Sequence, residues 1–319
     1  MERSATPTTA WTVSDGRAGN ARQAGALAAA MGLPARDWIV QARAPWRWLA
    51  PRRLPGAEAA FGGVFADALR APPTIAIGCG RQAALATRLL RARGARVVQV
   101  LDPRIDPAHW DVVVAPRHDG LRGANVVGLL GSLHPVDDAW LAQARATFAM
   151  LGTLPRPRVA MLLGGPTRHA RYGLDALQAW LRQVRALVAE EGGSLLLCGS
   201  RRTPQDWRAP LRDTAGADGL PGLRWLDPGD GDNPYAGVLA WADRIACTPD
   251  SVNMLSEACA TWAPVFVAAP GRVQDRPRAF LDDLLALGRV RELDAGMARF
   301  DTQPLRETTR VAAEVLARL

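Results

Sequence analysis

The stretch Thr248-Pro249-Asp250-Ser251-Val252-Asn253-Met254-Leu255-Ser256-Glu257-Ala258 holds the residue types and spacing best suited to chemistry. Asp250 or Ser251 supplies an N-cap, and Val252, Leu255 and Cys259 follow at the three- and four-residue intervals of a helix. Ile245-Ala246-Cys247 before it and Val265 to Ala269 after it read as short buried strands. Strand, polar turn, capped helix and strand make one βαβ unit. Its helix would start at the carboxyl edge of a parallel sheet, where unpaired amides and the helix dipole suit an anion such as a diphosphate. Ser251, Asn253 and Met254 lie at that start, and Glu257 lies where a carboxylate reaches a ribose hydroxyl. An ordinary capped helix with a surface glutamate satisfies the same spacing.

Other strand ends carry similar chemistry. Trp11-Thr12-Val13-Ser14 runs into Asp15-Gly16-Arg17-Ala18-Gly19-Asn20, then a helix over Ala21 to Met31. Gly16 and Gly19 allow a tight turn and close approach of a ligand, although their spacing is not the dinucleotide fingerprint. Asp15 stands where a general base belongs, or it caps the helix and pins the turn. Further polar strand ends follow at Gly78-Cys79-Gly80-Arg81, Leu101-Asp102-Pro103-Arg104 and Pro116-Arg117-His118-Asp119-Gly120. His118 beside Asp119 is an acid-base or substrate-positioning candidate, or a structural histidine. Downstream, Gly164-Gly165 with Arg168 forms a phosphate-friendly loop, and Gly199-Ser200-Arg201-Arg202-Thr203-Pro204 ends the next strand. Asp227 to Tyr235 is an acidic turn without a complete EF-hand, so no metal is expected.

Positioning these residues takes two α/β halves. Strands at residues 74–77, 96–100 and 111–115 alternate with helices, Val136 to Leu151 predicts a helix, and Gly152 to Arg158 reads as a linker. A second pattern opens with the strand Val159 to Leu163, and closing helices are expected over Phe280 to Leu287 and Leu305 to Leu319. The expected domains are 1–153 on the acceptor side, 154–303 on the nucleotide side, and a closing helix at 304–319. Two Rossmann-like parallel-sheet domains facing a cleft constitute the GT-B architecture.

Composition limits the alternatives. With 319 residues, 48% of them hydrophobic, the chain is globular and long enough for two cores. The net charge is +8, and all 39 basic residues are arginine, which favours anionic partners. Nucleic acid is not expected, because the arginines are dispersed and only two tyrosines and six phenylalanines are available for stacking. Cys79, Cys198, Cys247 and Cys259 are widely spaced in apolar surroundings, as buried thiols in a reducing compartment would be. No signal peptide or bilayer-spanning run is read, so a cytoplasmic protein is expected. Between Arg36 and Leu54, Trp38, Trp46 and Trp48 are interleaved with arginines. The segment is either a proline-bounded loop with its rings packed inward or a dock for an anionic membrane surface, peripheral at the inner membrane.

The chain resembles the mitochondrial fission ELM1-like family. The resemblance is carried by Ser14 to Asn20 with Gln23, Gly80-Arg81, Gln99 to Arg104, Pro116 to Val126, Leu163 to His169 and Thr248 to Met254, in order from about Trp11 to Phe266. It implies a fold similar to GT-B glycosyltransferases. By that analogy a diphosphate lies over Gly164, Gly165 and the amides of Ser251 to Asn253, neutralised by Arg168 or Arg201, and Glu257 holds the ribose. Asp15 deprotonates an acceptor hydroxyl, while Arg117, His118 and Asp119 line the cleft. The implied activity is metal-independent, inverting transfer from a UDP-, GDP- or CMP-linked sugar to an envelope or lipid-linked acceptor, with no tightly bound cofactor. A nucleoside-diphosphate-sugar epimerase and a non-catalytic nucleotide-binding scaffold are the alternatives.

Overall fold

The computed structural model describes residues 9–216 and 219–319. They form two compact units, one running to Pro135 and completed by Glu307–Leu319, the other spanning Val136–Arg306.

The first unit contains β1 (Ala10–Ser14), α1 (Ala18–Ala30), β2 (Ala35–Ile39), α2 (Trp46–Leu49), α3 (Gly63–Ala68), β3 (Ile75–Cys79), α4 (Arg81–Arg91), β4 (Arg96–Val100), β5 (Val112–Pro116) and β6 (Val126–Leu129). All six strands are parallel, in the order β2-β1-β3-β4-β5-β6. β1, β3 and β5 are buried along their whole length, as strands covered on both faces must be. Alternate side chains enter two separate cores. Val13, Ala76, Val97 and Val113 pack with Phe65 of α3 and Leu85 and Leu89 of α4. Ile77, Val98, Val100 and Val114 pack with Leu27 of α1 on the other face.

The second unit contains α5 (Asp138–Thr147), β7 (Arg158–Leu162), α6 (Leu174–Glu190), β8 (Ser194–Cys198), α7 (Gln205–Gly216), β9 (Gly222–Trp225), α8 (Tyr235–Trp241), β10 (Arg244–Cys247), α9 (Val252–Cys259), β11 (Val265–Val267), α10 (Asp275–Ala286) and β12 (Val290–Glu292). Its strands are again all parallel, ordered β12-β11-β10-β7-β8-β9. Val159, Met161, Leu195, Leu197, Ala246 and Phe266 pack against Leu177, Leu181 and Val184 of α6 and Leu211 of α7. The last helix, α11 (Thr308–Arg318), returns to the first unit, where Val311, Ala312 and Val315 complete the core beside α1.

The unit boundary falls at Pro135, before α5, instead of at the expected linker near residue 153. Arg145 Nε of α5 donates to the Ala240 carbonyl at 2.8 Å, and the space above Gly152 is filled by the Trp241 ring. The Gly-Pro-rich stretch therefore packs into the second unit as structure.

In both sheets the direction of winding reverses once, between β1 and β3 in the first and between β7 and β10 in the second. A parallel sheet opens a crevice beyond the carboxyl ends of the two strands at such a switch point. The strand ends there are Ser14 with Cys79, and Leu162 with Cys247. The turns that follow them contain Asp15, Gly80, Gly164 and Asp250.

Candidate functional site

In the second unit, the turns after β7 and β10 lock together around Asp250. Its side chain is wholly buried. Oδ1 accepts from the Tyr172 hydroxyl at 2.8 Å and from Thr248 Oγ1 at 2.7 Å. Oδ2 accepts from Gly165 N at 3.2 Å and Arg202 Nη2 at 2.6 Å. Burial, and then the adjacent carboxylate, push the Tyr172 phenol far above its ordinary range, so it is a committed donor. A buried carboxylate is stable only when paired and hydrogen-bonded in this way.

The two glycines are required by closeness. A Cβ on Gly164 would lie 2.1 Å from Asp250 Oδ2, and one on Gly165 would lie 1.9 Å from the Arg202 carbonyl oxygen. Their amides, expected to face a diphosphate, donate instead to Thr248 Oγ1 at 2.8 Å and to Asp250 Oδ2. Thr203 closes the neighbouring loop, donating to the Gly164 carbonyl at 2.9 Å and accepting from Ser200 N at 3.0 Å. Ser200 Oγ accepts from Arg202 N, which turns the Arg202 side chain towards Asp250, while Arg201 stands exposed.

Ser251, not Asp250, caps α9, its hydroxyl accepting from Met254 N at 3.4 Å. Asn253 lies in the first turn, and Met254 is buried. The helix therefore begins at the switch point with its dipole directed there. Glu257 is also buried, and Oε2 accepts from the Tyr235 hydroxyl at 2.6 Å. Both tyrosines of the chain thus bond to a carboxylate of the 250–257 segment. Arg168 is exposed and engaged elsewhere: its Nε donates to His169 Nε2 at 2.7 Å, leaving His169 Nδ1 to donate to Asp275 Oδ2 at 2.7 Å.

Sequence reasoning singled out Gly164, Gly165, Ser251 and Glu257 and gave no individual role to Arg202, Thr248, Tyr172 or Tyr235. Arg202 is one residue beyond the expected Arg201. Only the three-dimensional pairing with Asp250, 48 residues away, distinguishes them.

At the switch point of the first unit, Asp15 Oδ1 accepts from Asn20 Nδ2 at 2.9 Å and Arg17 N at 3.2 Å, and Arg17 Nε lies 3.5 Å from Oδ2. The carboxylate keeps 12% of its side-chain surface exposed. Gly16 and Gly80 adopt positive φ of 80° and 91°, and a Cβ on Gly80 would meet Asn20 Nδ2 at 2.6 Å. Gly19, in α1, sits beside Asn20 in the same turn. Asp15, Asn20 and Gly80 are therefore gathered in one place. Arg81, expected to line a substrate cleft, donates to the carbonyls of Arg47, Trp48 and Ala50 at 3.0, 3.1 and 3.3 Å, and so clamps α2. Trp46 packs on the core, as a loop with inward rings requires, whereas Trp48 is 64% and Leu49 40% exposed. Asp102 turns back on its own loop, accepting from Arg104 N at 2.8 Å. Arg117, His118 and Asp119 form a single 3-10 turn after β5.

The acidic turn is closed by arginine. Arg212 Nη2 lies 2.9 Å from Asp227 Oδ2 and 2.7 Å from Asp230 Oδ2, which holds both carboxyls below their ordinary range. Among the described residues no group of three or more acidic, histidine or cysteine side chains is arranged to hold a metal. No helix among them is long and apolar enough to cross a membrane.

Residues 18–319 match the family described as Mitochondrial fission ELM1. The Mitochondrial fission protein ELM1 of Arabidopsis thaliana is 30% identical over 280 residues, 77% of this chain; the match spans 65% of that protein's length. Among solved structures, UDP-GlcNAc 2-epimerase from Methanocaldococcus jannaschii superposes with a TM-score of 0.58 at 12% identity, covering 96% of this chain and 91% of that one. A second structure of that enzyme, in complex with UDP-GlcNAc and UDP, gives 0.56 at 11% identity, with 97% and 99% covered. The calicheamicin glycosyltransferase CalG4 gives 0.50 at 13% identity, with 98% and 94% covered. At these identities the likeness establishes the fold: two Rossmann-like α/β units of the type shared by GT-B glycosyltransferases and nucleotide-sugar epimerases.

Proposed function

The chain belongs to the mitochondrial fission ELM1 family, and on that premise we propose that it is a GT-B-type glycosyltransferase using a nucleotide-activated sugar. The observation that carries the reading is the Ser251-capped start of α9 at the second unit's switch point, with Arg202 bound to the adjacent Asp250 and the Tyr235–Glu257 pair further along the same helix. That combination offers a cation and a helix dipole for a diphosphate, and a buried carboxylate for a ribose hydroxyl. The M. jannaschii epimerase complex, with UDP-GlcNAc and UDP bound in a like fold, supports a ligand of this class. Arg202 takes the charge-neutralising role in preference to Arg168 or Arg201.

In this reading Asp15 accepts the proton of an acceptor hydroxyl as that oxygen bonds to the sugar's anomeric carbon. The bond from that carbon to the diphosphate oxygen breaks on the opposite face, and the nucleoside diphosphate leaves with the electron pair. The configuration inverts, and the leaving charge is met by Arg202 and the α9 dipole without a metal. The enzyme works in the cytoplasm, peripheral to the inner membrane, on an envelope or lipid-linked acceptor. Exposed Trp48 and Leu49, flanked by Arg47, Arg52 and Arg53, support that acceptor class.

The test incubates the protein with UDP-, GDP- and CMP-sugars, with and without solubilised membrane lipids. Acceptor-dependent nucleotide release, lowered at least 100-fold by Asp15→Ala, is expected of a transferase with this base. Transfer at the wild-type rate in that variant would remove Asp15 from the mechanism. The likeness to UDP-GlcNAc 2-epimerase supports a second reading, in which an altered nucleotide-sugar forms from donor alone. No turnover under either condition would leave a nucleotide-binding scaffold.

A further inference from the structure

We propose that the first unit carries an anion site of its own, which takes the phosphate group of a phosphate ester at Arg117 and Arg122. The two arginines line a pocket of about 390 Å³ together with Pro116, Gly120, Leu121 and Val126. That volume lies within the range of small-molecule sites. The pocket lining contains two guanidinium groups and no acidic side chain.

Other arginines beside strand-end turns hold partners within the chain, Arg81 on backbone carbonyls and Arg212 on Asp227 and Asp230. Neither Arg117 nor Arg122 has an ion-pair partner among the described residues. Two uncompensated guanidiniums lining one recess raise the local potential and favour a dianion. Guanidinium forks match phosphate oxygens in geometry as well as charge.

The recess is also preformed. Asn125 Nδ2 donates to the Pro107 and Trp110 carbonyls at 2.8 and 2.9 Å. From α11, Arg318 Nη1 holds the Ala124 carbonyl and Arg310 Nη2 the Gly128 carbonyl, each at 2.9 Å. Gly120 turns the backbone at a φ of 71°, with open space where a side chain would stand. The 117–128 loop is therefore fixed before a ligand arrives, which lowers the entropic cost of binding. Leu121 and Val126 give the pocket an apolar side, suited to the organic body of a phosphate ester.

The chemistry fits a soluble sugar phosphate or a lipid phosphate head group, and the site does not depend on the nucleotide reading of the second unit. Isothermal titration of the full chain with hexyl phosphate, inorganic phosphate and hexanol tests it. Saturable binding of hexyl phosphate and none of hexanol is expected, with the dissociation constant raised at least tenfold in Arg117→Ala/Arg122→Ala. Arg202→Ala should leave hexyl phosphate binding intact, and the double variant should leave UDP binding intact. This separates failure of this site from failure of the donor site. Vesicles of phosphatidylcholine with and without phosphatidic acid then identify the source: arginine-dependent binding to the acidic vesicles indicates a lipid, and its absence alongside hexyl phosphate binding indicates a soluble ester. Absence of hexyl phosphate binding in the wild type, or equal affinity in a double variant with an unchanged thermal midpoint, would overturn the proposal.

Discussion

Arg202 Nη2 lies 2.6 Å from Oδ2 of Asp250, joining a half-exposed guanidinium to a carboxylate with no exposed surface. The pair ties the loop after β8 to the turn after β10 and sets a cation beside the start of α9. Removing one member of such a pair leaves the other buried groups uncompensated.

Asp250→Ala is accordingly expected to destabilise the protein by about 3 kcal/mol, since Tyr172, Thr248 and Gly165 N lose an acceptor along with Arg202. The melting temperature should fall by roughly 6–12 °C in calorimetry. Arg202→Ala should lower it less, because the Arg202 side chain is 47% exposed, while weakening nucleotide binding more.

Gly165→Ala should cost at least about 2 kcal/mol, because the added methyl meets a backbone carbonyl that has no side-chain freedom to move. Gly271→Ala, where nothing lies within 4 Å, is the control and should change stability by less than about 0.5 kcal/mol. Equal denaturation midpoints for the two variants would contradict the close packing of the two turns.

These two sites show what the sequence makes legible. The βαβ pattern around Thr248–Glu257 is readable because a cap, a helical apolar spacing and two buried strands are all local signals. Alternating polar and apolar stretches likewise announced the parallel sheets. The edge strands β2 and β12 escape that pattern, since no residue of Ala-Arg-Asp-Trp-Ile is buried and only the first of Val-Arg-Glu is. Asp250 reads locally as a helix cap, and its role as a hub depends on partners 48 to 85 residues distant that no spacing rule connects. The extended partners are Arg202, Tyr172 and Gly165. Glycine and proline near residue 153 mark a turn, but whether a turn separates two units depends on what packs against it.

The pH dependence of stability should include a contribution from the acidic turn. Arg212 lowers the carboxyls of Asp227 and Asp230 relative to the unfolded chain. The contribution is complete above the ordinary carboxylate range, about pH 4, and is lost as pH falls through the lower folded-state values. The melting-temperature difference between wild type and Arg212→Gln should be widest near neutrality and close under acid. A constant difference across that range would contradict the assignment.

The four thiols should be inert in the folded protein. Burial pushes Cys198 up to about 12 and Cys259 up to about 11, and Cys79 and Cys247 are raised as well. A thiol-reactive chromophore at pH 8 should label none of them natively and all four in denaturant, because the thiolate is the reacting form. Rapid native labelling of any one would show that its surroundings open.

The most direct test of the donor site is calorimetric titration of UDP, GDP, CMP and ADP into the wild type, Arg202→Ala and Glu257→Gln, with melting temperatures measured in parallel. Saturable binding of at least one nucleotide is expected, weakened tenfold or more in both variants while the fold persists. Binding of none, or undiminished binding in both folded variants, would contradict a nucleotide site at the second unit's switch point.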